Sequence, residues 1–198
     1  HSYRIAYDST MQRTREELAN LQPHYQGMIN EVIDLTDHSR NILFSMTLEE
    51  ATEIIASGDP EQIATIDGHF AIMARRGHII RMARTLQFPM RYFIVKKVAG
   101  PALLIAERID QIREWLEDNN FGDQFHSSYT RMVPAHHLTE IALVGCPDPN
   151  PVCTRFFDPP TGTSNNSNYA EQYIQELTSS ISKWLDQVSE HEPIGVLF

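Results

Sequence analysis

The chain has 198 residues, 41% of them hydrophobic and 21% charged, with a formal net charge of −10. That length suffices for one domain with a substantial core, or one domain plus a short extension. No apolar run approaches the roughly 20 residues that a membrane-spanning helix needs. The negative charge, with no basic patch interleaved with aromatic residues, excludes nucleic acid as the expected partner. Two cysteines, Cys146 and Cys153, read as ordinary thiols of a reducing, cytoplasmic setting, and no signal peptide is visible.

Residues 2–7 read as a first strand and 11–22 as a helix stopped by Pro23. Residues 28–35 read as a strand ending at Thr36-Asp37. Thr47-Leu48-Glu49-Glu50 fits the capping box, in which hydroxyl and carboxylate each satisfy a free amide, so 48–56 is a helix closed near Gly58. Asp59-Pro60 restarts a helical turn to about Thr65, with Asp as cap and Pro at the first helical position.

The period then changes to that of strands. Segments 70–74, 78–82, 91–95 and 102–105 are short and apolar, punctuated by Arg75-Arg76-Gly77 and Ala99-Gly100-Pro101. They read as an antiparallel meander of consecutive hairpins. The basic stretch 75–91 reads as the exposed face of a hairpin. Residues 107–119 form a helix with Ile109, Ile112, Trp115 and Leu116 on one face, and 138–144 a strand. The Pro-, Gly-, Ser- and Asn-rich stretch 147–168 contains a flexible linker over 161–168. Residues 169–190 form the clearest helix, with Ala170, Tyr173, Ile174, Leu177, Ile181, Trp184, Leu185 and Val188 on one stripe. Pro193-Ile194-Gly195-Val196-Leu197-Phe198 reads as a buried strand.

Several segments carry a resemblance in a fixed order. They are Ile66-Asp67-Gly68-His69-Phe70-Ala71-Ile72, Ile79-Ile80-Arg81-Met82-Ala83-Arg84, Arg91-Tyr92-Phe93 and Leu103-Leu104-Ile105-Ala106-Glu107-Arg108-Ile109. Val133-Pro134-Ala135-His136-His137-Leu138, Arg155-Phe156-Phe157-Asp158-Pro159, the last helix and the last strand complete the series. Together, over residues 50–198, they resemble the asparagine synthetases, β-lactam synthetases and lasso-peptide cyclases. The resemblance implies an α+β amino-terminal domain of the amino-terminal-nucleophile (Ntn) hydrolase fold, an αββα sandwich of antiparallel sheets. It implies a degenerate glutaminase-like domain over 1–160, a linker over 161–168, and over 169–198 the helix and strand that begin a synthetase domain. In that family a Ser-Gly-Gly-x-Asp-Ser pyrophosphate loop follows the last strand, where this sequence stops. The expected partner is therefore a synthetase domain or subunit holding ATP and magnesium ions, docked through Tyr173, Leu177, Trp184, Val196 and Phe198.

The family's glutaminase chemistry needs a terminal Cys whose own α-amino group is the base. Here residues 1 and 2 are His and Ser, the family's Asn-Gly-Glu run is missing, and its Arg-Asp pair has become Arg84-Thr85. No cofactor and no metal is expected in this chain, and no catalytic residue. An alternative is an amide hydrolase using Ser2 or a Cys. Arg84, Arg91, His136 and His137 are the residues expected at one wall of a substrate cleft or at an interface. The two histidines are adjacent, so in a strand they point to opposite faces and do not readily serve one metal.

Overall fold

The computed structural model describes residues 29–143, 151–159, 168–189, 191 and 193–195. The strand of 2–7, the helix of 11–22, Val196 and Phe198 lie outside the described residues. The chain divides into two compact units, residues 1–158 and 159–198.

The first unit is α+β. Its strands are β1 (Glu31–Asp34), β2 (Ile42–Leu43), β3 (Gly68–His69), β4 (Ala71–Arg76), β5 (Ile79–Arg84), β6 (Arg91–Val95), β7 (Ala102–Ala106), β8 (Arg131–Met132), β9 (His137–Ala142) and β10 (Val152–Arg155). Its helices are α1 (Leu48–Ser57), α2 (Pro60–Ile63) and α3 (Ile109–Asp118). One four-stranded sheet has the order β1-β7-β6-β8, another β10-β9-β5-β4, and β2-β3 form a small ribbon.

Alternation along the strands sorts the buried side chains into three clusters, which define layers. Ile80, Met82 and Ile141 of one sheet meet Tyr92, Leu103 and Ile105 of the other. Ile72, Ala83 and Leu138 turn the opposite way, towards Ala51 and Ile55 of α1 and Ile63 of α2. On the far side, Phe93, Val95 and Leu104 pack with Ile112 and Leu116 of α3. Reading through the unit, the order is helices, sheet, sheet, helix.

The capping box of α1 is formed as the sequence implies. Glu50 N–H donates to Thr47 Oγ1 at 3.2 Å, and Thr47 N–H donates to Glu50 Oε2 at 2.7 Å. Asp59 caps α2 by accepting from Glu61 N–H at 2.9 Å.

The meander does not form. β4 and β5 are a hairpin in one sheet, whereas β6 and β7 are a hairpin in the other. Residues 85–90 cross between the sheets, and the buried Arg84 guanidinium tethers that crossing through the carbonyls of Thr85, Leu86 and Phe88. The expected wholly antiparallel pairing also fails at one place, because β1 lies parallel to β7. Nor is 75–91 an exposed basic face: Arg81 and Arg84 are 5% and 6% exposed. Arg75 and Arg76, assigned above to a turn, end β4, and the reversal falls at Gly77 with φ +59°. β10 lies in the stretch taken for loop and linker, and pairs antiparallel with β9.

The second unit contains α4 (Tyr169–Leu185), none of whose residues is buried. Residues 193–195 are exposed and form no strand, which corrects the first half of the buried strand expected over 193–198; the second half lies outside the described residues. The side chains of 193–195 supply only Ile194 as a large apolar group, and it is 49% exposed. No helix among the described residues is long and apolar enough to cross a membrane.

Candidate functional site

Four of the segments singled out above meet at one corner of the first unit. They are the turn 66–70, the end of β5 at Arg84-Thr85, the turn before β9 at His136, and Phe156-Phe157 after β10. A cleft of about 350 Å³ lies between them, lined by Asp67, Gly68, Phe70, Thr85, His136 and Phe157 among others.

Backbone bonds fix this corner. Thr85 N–H donates to the Phe70 carbonyl at 2.8 Å, and Phe70 N–H donates to Thr85 Oγ1 at 3.0 Å. His136 N–H donates to the Arg84 carbonyl, and Phe156 N–H to the His136 carbonyl, both at 2.9 Å. His136 takes the left-handed conformation with φ +57°. That conformation costs a non-glycine residue free energy and persists where the surroundings over-determine it. Its ring meets Phe157 at 5.0 Å and Phe156 edge-on at 6.1 Å between centroids.

Gly68 closes the floor. Its φ of +151° lies outside the range that L side chains favour, and a Cβ there would collide with the Ile42 carbonyl oxygen, a backbone atom. Gly68→Ala is expected to lower stability by about 1–3 kcal/mol, the cost of one strained backbone site. Urea unfolding of the two proteins measures it, and an unchanged midpoint contradicts the strain.

Of the four expected cleft residues, only His136 lines this cleft; Arg84 lies behind it, with Arg91 as its charged neighbour. Arg84 is held by acceptors of the crossing segment and by the Val133 carbonyl, which its Nε–H reaches at 2.5 Å. Burial and the nearby positive charge of Arg91 both push its pKa down. Arg84 is therefore a clamp for the loops around the corner, rather than a side chain presented to the cleft. His137 does not join the cleft either. It starts β9, and its Nδ1 lies 2.7 Å from the Ala135 carbonyl. Thr85 and Phe156 lie in segments that carry the resemblance but were not among the expected cleft residues. Their place in the cleft is set by tertiary pairing, which residue type does not show.

Burial, followed by Arg84, His137 and Arg155, pushes the His136 pKa below its ordinary 6.5. A depressed folded-state pKa means that the folded chain holds the neutral imidazole. The resulting stability is present above pH 6.5 and is lost as pH falls through the lower, folded value. The loss on acidification from pH 7.5 to 5 should be larger in the native protein than in His136→Asn, which tolerates the same φ. Equal losses in urea titrations at the two pH values would remove His136 as the cause.

The described thiol gives no nucleophile here. Cys153 is free and exposed on β10, with Thr139 Oγ1 3.5 Å from its Sγ, and it does not line the cleft. Ser2 and Cys146 lie outside the described residues.

Of the five side chains expected to dock a partner, the three described ones are exposed: Tyr173 at 68%, Leu177 at 45% and Trp184 at 40%. They share α4 with Ile174 and Ile181, also exposed. No model of a known protein family matches the chain, and no curated protein matches it.

Proposed function

We propose that this chain is the non-catalytic, glutaminase-like portion of an ATP-dependent, amide- or lactam-forming synthetase of the asparagine-synthetase type. The observation that carries the proposal is the corner just described. Segments that resemble the family at separate places in the sequence, 66–72, 84–85, 133–138 and 155–159, converge on one cleft. The stacking of helices, two sheets and helix supports the same reading, since the family's Ntn domain has four such layers.

In this reading the groups at the corner where a glutaminase would hold its substrate serve the chain's own packing, beside a remaining cleft of about 350 Å³. Thr85 hydroxyl binds backbone, Arg84 clamps loops, and the aromatic rings of Phe156 and Phe157 close over His136. The domain contributes stability and one wall of the substrate cleft. ATP and magnesium ions belong to the synthetase domain, which activates a carboxylate as its acyl-adenylate before an amine attacks. The α4 stripe is the docking surface for that domain.

Native mass spectrometry of the protein from its own host tests the proposal. The expected species contains, on this or a second polypeptide, the Ser-Gly-Gly-x-Asp-Ser loop. With a carboxylate substrate, an amine, ATP and magnesium it releases pyrophosphate. A lone polypeptide without that loop, which hydrolyses amides without ATP, would sink the proposal and favour the hydrolase.

A further inference from the structure

Another cleft of the first unit lies along the edge of β6 beyond β8. It measures about 810 Å³ and is lined by Tyr92, Ile94, Lys96, Gln124, Tyr129 and Arg131 among others. In an extended strand, the N–H and C=O of one residue point to the same side, and successive residues alternate sides. Val133 N–H donates to the Met90 carbonyl, so the even-numbered residues of β6 face β8 and this cleft. Tyr92 is paired there with Arg131 of β8. Beyond that point β8 ends, and the chain at Ser127–Tyr129 is a 3-10 turn rather than a strand.

Four residues beyond Tyr92, a side chain replaces the missing strand. Lys96 N–H donates to Gln124 Oε1 at 2.9 Å, and Gln124 Nε2–H donates to the Lys96 carbonyl at 2.9 Å. One primary carboxamide thus satisfies both backbone groups of one extended residue. Ile94, between Tyr92 and Lys96, presents the same donor–acceptor fork to the cleft, and no described residue pairs with it on that side. An added peptide strand cannot use it. Strand pairing engages every second residue, and the forks on either side are already taken. A single carboxamide fits the gap, as Gln124 demonstrates next to it.

The charge around the fork narrows the ligand. Lys96 and Arg131 line the cleft against one carboxylate, Asp123, in a chain whose net charge is −10. The rings of Tyr129 and Phe125 supply apolar wall. We infer that this cleft is a binding site for a small molecule carrying a primary carboxamide and, a few bonds away, a carboxylate. The carboxamide pairs with the backbone of Ile94, and the carboxylate lies towards Lys96 and Arg131. This inference is independent of the synthetase reading.

The test uses the full chain, amide-resolved NMR and three probes of one size: succinamate, succinate and succinamide. Succinamate should shift the Ile94 amide resonance and saturate. Succinate, which has no donor for the Ile94 carbonyl, should bind at least tenfold more weakly, since it leaves a polar group unpaired. Succinamide should also lose affinity, and Lys96→Gln, an exposed substitution, should weaken succinamate but not succinamide. No movement of Ile94 with any probe, or equal affinity for succinamate and succinate, overturns the assignment.

Discussion

Glu140→Ala is expected to lower the unfolding free energy by about 3–5 kcal/mol, a large share of a domain's stability. Glu140 lies opposite Arg81 in the β5–β9 register, and Arg81 Nε–H donates to Glu140 Oε1 at 2.8 Å. Both side chains are close to fully buried, at 6% and 11% exposed. Removing the carboxylate leaves a guanidinium in the layer beneath α1 without its counter-charge. Two further features show that the site is built for that guanidinium. Arg81 Nη1–H donates to the Ala56 carbonyl at 2.6 Å, at the negative end of the α1 dipole. Gly58, with φ +75°, leaves the space it fills, because a Cβ there would stand 2.5 Å from Arg81 Nε. Urea unfolding followed by circular dichroism measures the loss. The double variant Arg81→Met with Glu140→Leu should recover most of it, since apolar groups of similar volume commonly replace a buried pair at little cost. If Glu140→Ala loses less than about 1 kcal/mol, the pair does not hold β5 and β9 under α1.

The same arginine shows where the sequence stops being legible. Periodicity and caps act over a few residues, and what they govern was readable: β6 runs from Arg91 to Val95 as the alternation implies, and α1 starts at its capping box. Sheet membership is set by long-range pairing. Nothing between Arg84 and Arg91 signals that the chain leaves one sheet for the other, because Gln87-Phe88-Pro89 is as good a hairpin turn as it is a crossing. A basic stretch reads as surface unless its counter-charge is visible, and Glu140 lies 59 residues from Arg81. β10 was hidden by its neighbours, although Val152 and Thr154 are β-branched, because prolines and asparagines dominate that composition. At the candidate corner, His136 and the backbone of Arg84 coincide with residues chosen from sequence, whereas Arg91 and His137 lie outside the cleft. The roles of these residues were not legible, since whether an arginine faces a ligand or a backbone carbonyl depends on loops that only the fold brings together.

If the proposed synthetase reading holds, Leu177→Asp with Trp184→Asp abolishes assembly with the synthetase domain while leaving the first unit intact. A helix of 17 residues with no buried side chain is marginal in water, because its nucleation cost is recovered only by packing. Its apolar residues Ile174, Leu177, Ile181 and Trp184 recur at alternating three- and four-residue spacing, which keeps them on one seam. In the proposed reading, that seam is the surface the synthetase domain covers. A buried tryptophan anchor commonly accounts for about 2–4 kcal/mol of association, so Trp184→Asp alone should weaken binding by about 30-fold or more. Placing a carboxylate against the covered seam adds the cost of an unpaired charge. Exposed substitutions of this kind change intrinsic stability by about 0.5 kcal/mol or less, so the urea midpoint of residues 1–158 should not move. Titration calorimetry against the polypeptide that carries the pyrophosphate loop reads the association. An unchanged affinity in the double variant would show that α4 is not the docking face and would remove the helix from the proposed assembly.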